Sequence, residues 1–206
     1  MPETSPEFHN LQLAFATAKI LLADLPAHDI VTDDHRLRLR SYLLICHAAI
    51  EEYLERLSMW ALKESRRKYQ ETGIIPHPLI SLKSYYSFSG VGNSDDGGPQ
   101  TVHNFLGTIC DRAIEKHESE LTTVHGIKTK DQDAIFLPLG ISMFTFDRIL
   151  SQNLNSVGKA RGEAAHSFRI RQRSPKIELE RRFENIERLM LPFDNEVCAR
   201  IGIGLN

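Results

Sequence analysis

From Asp33 to Gln70 the chain contains no glycine and no proline. Within that run Leu37, Tyr42, Leu43, Cys46, Ala49, Ile50, Tyr53, Leu54, Leu57 and Trp60 recur at three- and four-residue steps, the period of one buried helix face. Asp33 and Asp34 suit the positive start of such a helix, Arg66, Arg67 and Lys68 its negative end, and Gly73 its stop. At about 1.5 Å per residue the element exceeds roughly 50 Å, longer than a compact bundle of this size needs. The spacing predicts that its last turns project from the body or bend.

The remaining elements follow from the same reasoning. Ser5 as cap, Pro6 at the first helical position and Glu7 in the first turn open a helix carrying Phe8, Leu11, Phe15, Ala18, Leu22 and Leu25 up to Pro26. Residues 73–100 hold Pro76, Pro78, Pro99, Gly90, Gly92 and the tract Asn93-Ser94-Asp95-Asp96-Gly97-Gly98, which reads as a loop-rich insertion within one domain. That tract lacks the Lys-Ser or Lys-Thr ending of a phosphate-binding loop. A third helix is expected from about Thr101 to Val124, with Gly126 closing it. A short one follows from Asp131 to Leu137, opened by the capping-box spacing Thr129-Lys130-Asp131-Gln132. A fourth long helix starts after Ser142, and Gly158 and Gly162 in it either admit a close neighbour or mark a break near Asn155-Ser156-Val157. The last helix begins at Ser174-Pro175 and runs to Pro192, leaving a short tail of a turn or two. No alternating pattern of useful length appears, so strands are absent or marginal. The expectation is an all-α, up-and-down bundle of about five to six helices with one very long second helix, in a single domain spanning residues 1–206.

Composition bounds the function. With 206 residues, 41% of them hydrophobic, the chain can bury one sizeable core. A net charge of -2 argues against whole-surface binding of a polyanion. Cys46, Cys110 and Cys198 are an odd number without paired spacing and read as core thiols in a reducing compartment. The start of the chain lacks a basic flank and apolar run, and no window approaches the roughly 18 apolar residues of a membrane span. A soluble, cytoplasmic protein without a membrane partner is expected.

Against that acidic background one segment stands apart. Between Lys159 and Arg173 lie Lys159, Arg161, Arg169, Arg171 and Arg173 against the single acid Glu163. Inside it, Arg161-Gly162-Glu163-Ala164-Ala165-His166 sets a permanent cation near a group that titrates close to neutral pH. Such a pair can cleave RNA without a metal: His166 takes the proton of the 2'-hydroxyl and Arg161 stabilises the charge on the phosphorane. Arg169, Arg171 and Arg173, with Lys159, would track the RNA backbone. Five residues along a regular helix subtend about 140°, so both side chains flank one phosphate only if the helix starts or bends near Gly158 to Gly162.

The block Tyr42-Leu43-Leu44-Ile45-Cys46-His47-Ala48-Ala49-Ile50-Glu51-Glu52-Tyr53-Leu54 on a long second helix, followed by the late Arg161-x4-His166, resembles the HEPN superfamily, with its nearer likeness to the RiboL-PSP-HEPN and MAE_28990-type branches. The likeness covers roughly Leu37 to Leu191 in order of elements. It implies a metal-independent endoribonuclease without cofactor, acting as a homodimer on RNA, often as a toxin with an antitoxin or other protein partner, or as an antiviral defence component. It also implies that Arg161 and His166 are the catalytic pair, and that Glu51 or Glu52 is an acid of the second helix that faces the site. One departure is Gly162, since many active members carry Asn, Asp or His directly after the arginine. The alternative is a catalytically inactive helical module for dimerisation or protein binding.

The other histidines, His9, His28, His35, His47, His77, His103, His117 and His125, sit in no HExxH frame and beside no Cys-x2-Cys, so no metal is expected. His47 shares one side of the second helix with Ile50 and Glu51, at steps of three and four, and can approach the site. Trp60 and Met59 read as core or interface.

Overall fold

The computed structural model describes residues 4–86, 102–166, 175–202 and 204–205. Its elements are α1 Pro6–Ala18, α2 Asp33–Thr72, β1 Ile75–Pro76, α3 His77–Tyr86, α4 Val102–Leu121, α5 Thr129–Phe136, α6 Met143–Phe146, α7 Arg148–His166, α8 Lys176–Gly202 and β2 Gly204–Leu205. The fold is all-α. Its only sheet among the described residues is the antiparallel bridge of Ile75 with Leu205 and Pro76 with Gly204.

The axis of the molecule is α2, 40 residues long. Thr32 caps it by accepting the His35 N–H at 3.2 Å, and Gly73, at φ 73°, closes it by donating to the Tyr69 carbonyl at 2.9 Å. Only glycine enters that left-handed conformation without strain. Helices α1, α3, α4, α5, α7 and α8 all pack on α2. The stripe Leu39, Tyr42, Cys46, Ile50, Leu54, Leu57, Ala61 and Leu62 is fully buried at their junction. Each of the large aliphatic side chains there stabilises the fold by about 1.5–3 kcal/mol. Aromatic edges complete the core: Phe183 meets Tyr42 and Phe15 at 5.4 and 5.7 Å, and Phe193 meets Phe136 at 4.9 Å.

Several expectations are corrected here. The end of α2 does not project: Ser65 and Tyr69 are buried, the Tyr69 hydroxyl donates to the His103 carbonyl, and Arg66 forms a two-pronged pair with Asp111. Lys68 donates to the terminal carbonyls of Ile201 and Gly202 on α8, so of the cations that suited the end of α2 Arg66 and Lys68 bind neighbouring helices, while Arg67 pairs with Glu64 and Glu71 of α2 itself.

Part of the supposed loop at 73–100 is the helix α3. Pro78 falls in its first turn, where a missing N–H costs nothing, and Leu79 and Leu82 bury its face. Residues 87–101, with the Gly-rich tract, lie outside the described residues. The helix expected from Ser142 is divided at Asp147, whose carboxylate accepts the N–H groups of Ile149 and Leu150 and so starts α7 afresh.

The last helix does not stop at Pro192 but continues to Gly202. An interior proline costs about 3 kcal/mol, and the buried stripe Ile186, Met190, Phe193 and Val197 on both sides of it outweighs that cost. Ser174, expected to cap this helix, is outside the described residues. No described helix is long and apolar enough to cross a membrane.

Candidate functional site

Helix α7 runs unbroken from Arg148 to His166. Neither Gly158 nor Gly162 interrupts it, so of the two readings of these glycines the close approach holds for Gly158. A Cβ there would meet Lys128 Cγ at 3.0 Å and Ile127 Cγ1 at 3.6 Å, so the segment before α5 lies directly on the helix. Gly162 has no atom within 4 Å of such a Cβ. The bend that would bring Arg161 and His166 onto one face is therefore absent. The two positions stand about 7.5 Å apart along the axis and about 140° apart around it. The side chain of His166 lies outside the described residues, as do Arg169, Arg171 and Arg173.

On α2, which packs against α7, His47, Glu51 and Glu55 follow one another at successive four-residue steps. His47 is enclosed, with its side chain 4% exposed, and its Nδ1 lies 3.6 Å from Glu51 Oε2, a contact slightly longer than a hydrogen bond. Burial lowers the His47 pKa to about 4, and the positive charge of Arg161 pushes it the same way, so the ring is neutral at neutral pH. Burial raises the pKa of Glu51. The charges of Arg161 and His125 and the backbone N–H of Gly126 oppose that rise. Glu55 is raised by burial and by the Glu51 charge, and lowered by His125.

The loop that carries His125 is held from both sides. Asp131, in the first turn of α5, accepts the Lys128 N–H at 3.0 Å, which places the cap at Lys128 and not at Thr129. Gly126, at φ 150°, passes so close to this carboxylate that a Cβ would stand 2.6 Å from Oδ2. Buried Gln132 ties the pieces together: its amide donates to the Ile127 carbonyl at 2.8 Å, while Ser151 on α7 donates to its oxygen at 2.6 Å. At the far end of α7, the Arg40 guanidinium donates to the Ala164 carbonyl, so α2 also holds the turn on which His166 sits.

The junction of α2, α5 and α7 thus holds the His47–Glu51 pair and the Lys128–Asp131 cap, with Arg161 and His125 within electrostatic reach of Glu51. Glu52 is elsewhere. It is turned about 100° from Glu51 on the helix, pairs with Arg56 at 2.7 Å, and lines a shallow cleft with Glu7, Asn10 and Tyr53. Lys159 is exposed on α7, two residues and about 200° from Arg161, so it does not share the guanidinium's face. Arg40 was not singled out by the sequence, and Asp131 and His125 entered only as a helix start and as one of several histidines, because nothing local ties them to a site until the helices are packed. No curated protein and no solved structure matches the chain. The model of the RiboL-PSP-HEPN family matches residues 13–199, nearly the whole length of this long-helix architecture, and the chain belongs to that family.

Proposed function

We propose that the chain is a metal-independent endoribonuclease of the HEPN type, working as a homodimer in the cytoplasm. The observation that supports this reading is that Glu51 and the enclosed His47, side by side on α2, lie within electrostatic reach of exposed Arg161, on the helix that ends at His166. Because α7 does not bend, the Arg161 and His166 of one subunit do not flank the same phosphate, and the homodimer pairs Arg161 of one subunit with His166 of the partner subunit: the 2'-oxygen of the ribose attacks phosphorus as its proton passes to that imidazole. Arg161 stabilises the negative charge on the non-bridging oxygens. The bond to the 5'-oxygen breaks, leaving a 2',3'-cyclic phosphate and a 5'-hydroxyl end. DNA, without the 2'-hydroxyl, resists this route. Glu51 orients the guanidinium, and the basic segment beyond His166 follows the RNA backbone. A protein of this kind acts as a toxin held by an antitoxin partner, or as a defence component.

A second reading is an inactive helical module for dimerisation or protein binding. The open surroundings of Gly162 favour it, since no polar side chain stands where active members carry one. Purified protein incubated with structured and single-stranded RNA in the presence of a metal chelator separates the two. Cleavage that Arg161→Ala and His166→Ala each reduce by about 10²–10³-fold or more supports the enzyme, whereas equal inertness of all three proteins supports the module. Growth arrest on expression that disappears with His166→Ala supports the toxin role.

A further inference from the structure

Helix α7 lies antiparallel to α2. Its start is tied to α5 by the Ser151–Gln132 bond, α5 meets α2 where the Ser58 hydroxyl donates to the Ile135 carbonyl at 3.1 Å, and its end meets α2 at Arg40. Leu150, Leu154 and Val157 are fully buried and mark the face of α7 turned to the core. Arg161 follows Val157 by four residues and Leu154 by seven, and Ala164 follows Val157 by seven, so both continue that face. There the groove between the two helices opens: Arg161 is exposed, while Ala164 and Arg40 are half-buried.

The Arg40 guanidinium donates through Nη2 to the Ala164 carbonyl, one of the last-turn acceptors that a helix cannot pair within itself. That bond fixes the plane of the fork within one turn of Arg161, since residues three apart on a helix are neighbours. The arginines before it on α2 are paired, Arg36 with Asp33 and Arg38 with Asp34. Arg40 and Arg161 form no ion pair among the described residues. Glu51 lies within electrostatic reach of Arg161 but not in ion-pair contact, and Glu163 is turned about 200° away from it on α7. Two like charges at one end of a groove, neither with a counterion in contact, repel each other until an anion joins them.

We propose that Arg40 and Arg161 of one subunit together bind a phosphate group of the RNA strand, which makes Arg40 a substrate-binding residue. This deepens the ribonuclease reading and rests on it. One N–H of Arg40 remains on Ala164, and the other donors of the rigid fork serve the non-bridging oxygens of the phosphodiester.

The test measures binding apart from cleavage. A fluorescent single-stranded oligonucleotide with every 2'-hydroxyl methylated cannot be cut through that oxygen. Its anisotropy is followed at several salt concentrations with wild type, Arg40→Gln and Arg40→Lys. Both replacements carry an N–H for the Ala164 carbonyl, but only lysine keeps the charge. Arg40→Gln is expected to bind about tenfold more weakly or worse, and to reduce the slope of log affinity against log salt by about 0.7, the share of one phosphate on a single strand. Arg40→Lys retains that slope and most of the affinity, and the three melting temperatures agree within a few degrees. The site is overturned if Arg40→Gln keeps the wild-type affinity and slope, if Arg40→Lys loses as much as Arg40→Gln, or if the loss tracks a fall in melting temperature. Cleavage of the all-ribose strand is scored separately. Charge-dependent binding without cleavage sinks the ribonuclease reading and leaves the phosphate site standing, whereas cleavage that Arg40→Gln leaves unchanged sinks the site alone. A wild type that neither binds nor cuts RNA overturns both.

Discussion

Asp194, on α8, accepts the backbone N–H of Ser5 at 2.7 Å and its hydroxyl at 2.5 Å, a contact spanning 189 positions of the chain. The Tyr53 hydroxyl of α2 donates to the same carboxylate at 3.0 Å, and the carboxylate is wholly buried. The charge-assisted bonds that offset its desolvation hold α1, α2 and α8 at one point. Asp194→Asn keeps the shape but replaces one accepting oxygen by a donor facing other donors. We expect a loss of about 2–4 kcal/mol in denaturant unfolding, against about 1 kcal/mol for Tyr53→Phe, which removes a single neutral donor. Equal stability of Asp194→Asn and wild type would count against this junction of three helices as an anchor of the fold.

Glu51 and Glu52 are adjacent in the chain but face different surroundings. Glu51→Gln is expected to lower RNA cleavage by at least about tenfold, with its main effect on turnover, because it removes the negative charge that the Arg161 charge acts on. Glu52→Gln, which only breaks an exposed pair with Arg56, stays within twofold or so and changes stability by less than about 1 kcal/mol. Steady-state kinetics on both variants decide it, and a larger effect at Glu52 would contradict this placement of the site.

The glycines of the site differ in the same manner. Gly126→Ala meets both a positive φ and the Asp131 carboxylate, so it should cost about 1–3 kcal/mol and displace the loop of His125. Gly162→Ala sits in a regular helix with open space around it and should stabilise by about 0.5–1 kcal/mol. Melting curves of the two variants should therefore move in opposite directions.

His117 gives the protein an acid sensitivity. It is fully buried, between the Ser58 hydroxyl at 2.8 Å from Nε2 and the Tyr86 hydroxyl at 3.0 Å from Nδ1, and burial lowers its pKa to about 4. Its ordinary value is near 6.5, so between those two values the unfolded chain binds the proton more readily than the folded one. The stability that depends on a neutral His117 is thus complete above about pH 6.5 and falls as pH drops toward 4. His47, also lowered to about 4, adds to the same trend, while the raised Glu51 and Glu55 act against it. Melting temperature followed from pH 7.5 to 4.5 should decline less steeply in His117→Gln than in wild type. A parallel decline would refute the role.

Much of the fold was written locally. The glycine-free run of α2, the Ser5-Pro6 start of α1 and the lack of alternating segments each depend on neighbours within a few residues, where helical period and capping act directly. Arg161 and His166 likewise stand close together in one stretch of chain, and the order of elements carried the family. What the chain could not disclose locally depended on partners far along it. Pro192 reads as a stop until Phe193 and Val197 are seen to be buried on its far side. Pro78 reads as a loop until Leu79 and Leu82 find a core. The choice between Glu51 and Glu52 rests on a rotation of about 100° relative to α7, and the electrostatic reach of His125 to Glu51 joins residues 74 apart in the chain. Periodicity names the face a helix buries. Only the packing of one helix on another decides which polar groups meet along its edge, because that contact depends on crossing angle and register, to which no short stretch of sequence responds.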